Sequence, residues 1–268
     1  MMSVRRRLDV ALVEKGFFVS REQARQAILA GLVFVNGLCV QKPGRFVSAA
    51  DRMEVRGEAL PYVSRGGLKL AHALRFFGVN LRGLVVIDVG ASTGGFTDCA
   101  LQFGARRVFA VDVGYGQLAW KLRTDPRVTV LERTNIRHLA PEAIDELADF
   151  ATVDVSFISL EKVLPCVGAL LKPEGQGIAL VKPQFEAGRG KVGKKGVVRD
   201  PATHVAVCAK IIAFIGSLGW EVRGLTYSPL RGPEGNIEFL VYFSKVTGCP
   251  WDGKVEEVVT AAWRHFKS

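Results

Sequence analysis

Cysteine is scarce in this sequence and nowhere paired. Cys39, Cys99, Cys166, Cys208 and Cys249 are odd in number, scattered, and never spaced as CxxC. That distribution argues against a zinc site and a disulfide framework, and reads as reduced, mostly buried thiols in a cytoplasmic protein. No metal site is expected. Long hydrophobic runs are missing too. The most apolar uncharged stretch, Ile211 to Trp220, is about half the length a membrane helix needs, so no membrane partner is expected. Asp9, Glu14 and Lys15 interrupt any apolar core behind Arg5-Arg6-Arg7-Leu8, which argues against an export signal. Acidic residues are the other shortage: 26 Asp plus Glu face 36 Lys plus Arg, a formal net charge of +10. Such an excess favours an anionic partner, nucleic acid above all.

What is present is the mix of a folded protein, 49% hydrophobic and 23% charged, in 268 residues that suit two unequal domains. Residues 1–60 read as small elements rich in arginine. Leu8, Leu12 and Val13 recur at helical spacing. Ser20 with Gln23 makes a capping box for a second helix, whose stripe is Ala24, Ala27 and Ile28, and Gly31 ends it. Asn36-Gly37 between Val33-Phe34-Val35 and Cys39-Val40 is a strong hairpin signal, and Asp51 to Val55 supplies a third strand. Arg5, Arg6, Arg7, Arg21 and Arg25 are candidates for one basic side, either a solvated face or a phosphate-contacting surface. Leu60-Pro61-Tyr62-Val63 follows, with residues 61–63 as a short linker.

From residue 64 to 268 the texture changes. Short apolar runs at 84–89, 107–112, 128–131, 150–155 and 178–181 alternate with helical stretches at 95–103, 117–123, 141–147 and 160–171. A helix over 203–218 and strands at 221–227 and 237–243 complete the pattern. The expected fold class is α/β, a Rossmann-like parallel sheet with helices on both faces and a small α+β domain in front. Ligands of such sheets bind beyond the carboxyl ends of the strands. The first strand runs into Asp88-Val89-Gly90-Ala91-Ser92-Thr93-Gly94-Gly95-Phe96-Thr97, a glycine-bearing turn before a helix. An acid at Asp88 would repel a dinucleotide pyrophosphate but favours the sulfonium and ammonium of S-adenosylmethionine. The cofactor candidates are therefore Asp88, Gly90, Ser92, Gly94, Gly95 and Phe96, with Asp112 placed to accept ribose hydroxyls.

Asp154 and Lys182 close the fourth and fifth strands and belong on the same rim; Lys69 precedes the sheet and Glu238 opens its last strand. The glycine-rich loop from Gly188 to Arg199 carries Arg189, Lys191, Lys194 and Lys195, as a solvated loop or a phosphate clamp. Phe96, Phe157 and Phe185 read first as packing, with Phe157 and Phe185 also where a flipped base could rest.

The front segment, with Arg7-Leu8-Asp9, Ser20-Arg21, Val35-Asn36-Gly37 and Lys42-Pro43, resembles the S4 RNA-binding domain. Lys69, Asp154, Lys182 and Glu238 resemble the Lys-Asp-Lys-Glu tetrad of FtsJ/RrmJ-like RNA 2′-O-ribose methyltransferases. With Ser64-Arg65-Gly66, Asp112-Val113-Gly114-Tyr115 and Lys182-Pro183-Gln184-Phe185-Glu186, the chain from Arg5 to Phe266 is similar to the TlyA family, historically labelled haemolysins. The resemblance implies an S-adenosylmethionine-dependent cytidine 2′-O-methyltransferase acting on ribosomal RNA or ribosomal subunits, with no obligate protein partner. The alternatives are a membrane-active haemolysin and a non-catalytic RNA-binding protein. The implied roles give Lys182 the 2′-hydroxyl proton, with its pKa lowered by a second lysine and the cofactor charge. Asp154 and Glu238 orient the lysines, Lys69 assists, and Arg5, Arg6, Arg7, Arg21, Arg25, Arg65, Arg189 and Lys191 contact RNA.

Overall fold

The computed structural model describes residues 5–29, 31–56, 61–193, 196–232 and 234–267, apart from the side chains of Glu22, Gln26 and Arg189. The chain divides into two compact units, Met1–Arg65 and Gly66–Ser268. In the first, β1 (Arg6–Arg7) leads into α1 (Leu8–Glu14), and α2 (Arg21–Leu29) follows. The backbone N–H of Gln23 donates to Ser20 Oγ at 3.2 Å, so Ser20 caps α2 as its position suggests. The strands β2 (Val33–Val35), β3 (Leu38–Cys39), β4 (Phe46–Val47) and β5 (Met53–Val55) form two small sheets, β1 with β4 and β2 between β3 and β5. Asn36 and Gly37 take φ of 52° and 79°, the paired left-handed turn that the Asn-Gly dipeptide favours. The Asn36 side chain then binds Asp51 and the Arg52 N–H, tying the hairpin to the third strand. Leu8, Leu12, Ala24, Ile28, Val33 and Val35 close the core of this unit.

The second unit opens on α3 (Gly66–Phe77), then β6 (Val85–Val89), α4 (Gly95–Gln102), β7 (Arg107–Val111), α5 (Trp120–Arg123) and β8 (Val128–Leu131). After two short 3-10 turns come β9 (Ala148–Val153), α6 (Leu164–Ala169), β10 (Leu171–Val181) and α7 (Pro183–Glu186). The chain ends with α8 (Pro201–Ser217), β11 (Glu221–Tyr227), β12 (Phe239–Ser244) and α9 (Val255–Lys267). The seven strands lie in the order β11-β12-β10-β9-β6-β7-β8.

Five neighbours from β10 to β8 are parallel, but β12 runs antiparallel to both β10 and β11. The expected parallel sheet is thus present in five strands, and the last two make the whole sheet mixed. The connection from Tyr227 to Phe239 holds no crossover helix among its described residues, and parallel neighbours need such a crossover. Three expected helices are also shorter: 117–123 shrinks to α5, 141–147 to a 3-10 turn at Pro141–Ala143, and 160–171 to a 3-10 turn plus α6. The fifth strand is longer than expected, with a register shift between Leu171 and Gln176. Helix α9 was not anticipated. Cys39 and Cys249 are exposed, so the thiols are less buried than their chemistry suggests.

Strand order reverses between β6 and β9, because the chain first builds outward through β7 and β8 and then returns to the other side of β6. That reversal opens the crevice at the carboxyl ends. Beneath it the core runs from Val85 and Ile87 through Ala151 and Val153 to Ala179, Val181 and Phe239. Trp220 stacks on Phe243 at 5.3 Å between ring centroids, and Gly168 of α6 faces the same indole. A methyl group on Gly168 would stand 2.3 Å from the Trp220 ring. Gly168→Ala is therefore expected to lower the unfolding free energy by about 1–3 kcal/mol, the usual cost of overpacking. Urea denaturation with an unchanged m-value is the check.

Candidate active site

Asp88 is where the sequence reading needs correction. Its carboxylate is 0% exposed and lies beneath the turn. Thr97 Oγ1 donates to Oδ2 at 2.6 Å and Thr152 Oγ1 donates to Oδ1 at 2.9 Å, so Asp88 joins β6 to α4 and β9. Burial pushes its carboxyl up to about 6, against the pull of the two hydroxyls. A group so enclosed supports the turn from below and does not face a ligand.

The turn itself is left-handed at three points: Gly90 (φ 87°), Ser92 (φ 50°) and Gly94 (φ 94°). A Cβ on Gly90 would lie 2.4 Å from the Asp154 carbonyl oxygen, so glycine lets the loops after β6 and β9 touch. Gly94 answers a different need. A Cβ there would meet Leu122 Cδ1 at 2.2 Å, so its bareness serves packing against α5. Gly95 and Phe96 are buried at the start of α4 and offer almost no surface. Asp112, just past β7, does stand on the rim. The Ser92 N–H donates to Oδ2 at 2.7 Å and the Gly114 N–H to Oδ1 at 2.6 Å, aiming the carboxylate while further lone pairs stay available.

Across the crevice the four tetrad candidates come together as two ion pairs. Lys69 Nζ of α3 donates to Glu238 Oε2 at 2.5 Å. Their residues are 8% and 1% exposed. Lys182 Nζ lies 2.6 Å from Asp154 Oδ1 and donates to Ser156 Oγ at 2.9 Å. Burial raises the Glu238 carboxyl; Lys69 and Lys182 pull it down and Asp154 pushes it up, so all three of its neighbours act on Glu238. Two further residues belong to this arrangement. Ser156 gives Lys182 its second partner. Gly232 leaves room for Glu238, since a Cβ there would sit 2.5 Å from Oε1. A serine two residues past a strand end and a glycine in a loop carry no signal of either contact.

Beside Lys182, Phe157 takes a left-handed φ of 62° and is 90% exposed, its ring 4.9 Å from that of Phe185. It is therefore not a core residue. Glu186 is buried and accepts from Ser159 Oγ at 2.6 Å and the Leu160 N–H at 2.8 Å, joining the two loops that hold Asp154 and Lys182.

The basic candidates divide. Arg7 and Arg21 both reach Asp9, at 3.0 and 3.1 Å, and Arg6 pairs with Glu14. The Arg7 guanidinium, with Arg21 beside it, holds the Asp9 carboxyl below the usual range. Arg5, Arg25 and Lys191 are exposed and Arg65 is half-buried. The side chain of Arg189, and all of Lys194 and Lys195, lie outside the described residues. Among the described residues no cluster of three His, Cys, Asp or Glu could hold a metal ion.

Comparison with known proteins gives two matches along the chain. The family described as FtsJ-like methyltransferase matches residues 62–245 and the S4 domain matches residues 6–52. A Bacillus subtilis protein, YqxC, provisionally named an rRNA methyltransferase, is 51% identical over 96% of this chain and 90% of its own length. The 16S/23S rRNA (cytidine-2'-O)-methyltransferase TlyA of Mycobacterium tuberculosis is 45% identical over 92% of each chain. A solved structure from Streptococcus thermophilus, provisionally described as a hemolysin, is 45% identical with a TM-score of 0.79, covering 100% of this chain and 98% of that one.

The Asp88 environment gives a pH test. Its folded pKa of about 6 lies above the ordinary 3.8, so the folded protein holds this proton more tightly than the unfolded chain does. The contribution of Asp88 to stability is therefore expected to be lost as pH rises from 3.8 towards 6, by on the order of 3 kcal/mol, and to stay level above. Asp88→Asn lacks that loss, so its stability relative to the unaltered chain should improve from about pH 4 to about pH 7 in paired urea titrations.

Proposed function

Because the chain belongs to the FtsJ-like methyltransferase family and carries an S4 domain ahead of that portion, we propose that it methylates the ribose 2′-oxygen of a cytidine in ribosomal RNA. Two lysines paired with two carboxylates at the strand ends, beside the Gly90–Gly94 turn, carry this reading. When bound, S-adenosylmethionine supplies the methyl group on a positively charged sulfur. The residues present fit it. Asp112 is aimed at the rim with lone pairs left for ribose hydroxyls, and Gly90 lets the loop carrying Asp154 close up beside the turn. Asp154, at the opposite lip, supplies negative charge for a cationic group.

A ribose hydroxyl is a poor nucleophile while it keeps its proton. Lys182 takes that proton at Nζ, and Asp154 and Ser156 fix where Nζ stands. Lys69 grips the target ribose from the other side, held in place by Glu238. Phe157 offers an exposed ring beside Lys182 for a nucleotide drawn out of its stack. Residues 1–60 hold the RNA through Arg5, Arg6, Arg7, Arg21 and Arg25, and Arg65, Arg189 and Lys191 add contacts nearer the chemistry. Residues 61–63 link the two parts. Asp9 keeps Arg7 and Arg21 at a fixed spacing while each stays partly exposed for phosphate. Ribosomal RNA or a ribosomal subunit is the partner, and the cytoplasm is where such a chain works.

A membrane-lytic role is the alternative raised by the hemolysin name of a relative. No helix among the described residues is long and apolar enough to cross a membrane. A purely RNA-binding role leaves two ion pairs on the rim without a use, whereas methyl transfer uses both.

Lys182→Ala should reduce tritium transfer from labelled S-adenosylmethionine to ribosomal subunits by about 10²–10⁴-fold, the range for loss of a positioned base. Cofactor affinity by calorimetry should stay close to that of the unaltered chain. Lys182→Arg should fare nearly as badly, because a guanidinium does not give up its proton; near-normal turnover in either variant defeats the assignment. On the RNA side, Arg25→Glu should weaken RNA binding across sequences and lower the salt slope by about 1. Filter binding at several salt concentrations reads that directly.

A further inference from the structure

Asn236 is 0% exposed, two residues before Glu238, in a segment that is neither helix nor strand. A buried amide is costly unless its donor and acceptor are both used. Here both reach across to the basic loop. Asn236 Oδ1 accepts the Val198 N–H at 2.9 Å, and Asn236 Nδ2 donates to the Gly196 carbonyl at 2.9 Å. The side chain thus pairs with the loop backbone as a neighbouring strand would. Its own carbonyl accepts the Gly232 N–H at 2.9 Å, and Gly232 is the residue that lies against the Glu238 carboxylate.

The loop is built to be held at this point. The Gly193 N–H donates to Val197 O at 3.1 Å, the Gly196 N–H donates to Gly193 O at 2.8 Å, and Gly196 takes a left-handed φ of 71°. Val198 is buried, while Lys191 and Arg199, on either side, are exposed. The loop therefore presents cations outward from a base fastened to the segment that enters β12.

We propose that Asn236 is a positioning residue that latches the basic loop 188–199 to the Glu238 segment, so that RNA held by the loop keeps a fixed distance from the Lys69–Glu238 pair. The inference rests on the RNA methyltransferase reading and adds to it a residue that touches neither RNA nor cofactor. An aspartate keeps the acceptor for Val198 but loses the donor to Gly196; alanine loses both.

The test uses the full chain, isolated ribosomal subunits and labelled S-adenosylmethionine. Asn236→Ala is expected to raise KM for RNA by about tenfold while kcat changes by less than about threefold and cofactor affinity is retained, a split that general loss of structure would not produce. Lys191→Glu should raise KM for RNA by about fivefold in the unaltered chain but by less than about twofold alongside Asn236→Ala, because an unlatched loop no longer places that lysine. If Asn236→Ala does not fold, Asn236→Asp carries the same comparison. An unchanged KM for RNA, a full Lys191→Glu effect in both backgrounds, or an equal loss of cofactor and RNA affinity overturns the latch. Absence of transfer by the unaltered chain overturns the methyltransferase reading as well, so the two failures are told apart by that single control.

Discussion

An ammonium group withdrawn from water needs a negative partner, and this molecule meets that need twice within one crevice. Lys69 and Glu238 are nearly closed off from solvent, and Lys182 and Asp154 lie at the edge of the same cluster. Removing either member of the inner pair would leave an uncompensated charge in a poorly solvated place, which costs far more than the pair itself gains. The surrounding structure follows from keeping these charges matched. Gly232 is bare so that the Glu238 carboxylate fits, and Gly90 is bare so that the loop carrying Asp154 can approach the first turn. Glu186 clamps the loops behind Asp154 and Lys182 to each other. The spacing of those lysines is thus fixed from several directions.

Much of this was legible in the sequence because strand ends are legible. A hydrophobic run that stops at an acid or a lysine places that side chain on the rim of an α/β sheet whatever the chemistry, and Asp112, Asp154 and Lys182 sit there. The S4-like unit was readable for a similar reason: Ser20, Gly31 and Asn36-Gly37 act through local backbone geometry, which sequence encodes directly. Asp88 was misread because it too ends a strand, yet its side chain turns inward; the Thr97 and Thr152 hydroxyls that receive it are not identifiable from spacing. The packing of Gly94 against Leu122 was not legible, because it involves a helix whose position depends on tertiary packing. Antiparallel β12 could not be told from a parallel strand by composition, since both faces are covered in either case. Helix α9 was within reach, because Val255, Val258, Val259, Ala262, Trp263 and Phe266 recur at helical spacing.

The arginine-rich unit shows the same principle at lower cost. Asp9 is buried but its two partners are not, so the carboxylate fixes the inner ends of Arg7 and Arg21 while their guanidinium groups keep donors facing outward. One acid thereby lowers the net charge of the face and stiffens it at once. Side chains so held have already lost part of their freedom, which reduces the entropy that any binding to them would cost.

Lys69 and Glu238 are 169 residues apart in sequence. Translation delivers the lysine early and its carboxylate only when most of the polypeptide has emerged, at a rate of about 5–20 residues per second. Until then the crevice is incomplete, and the Lys69 ammonium lacks the carboxylate that closes over it.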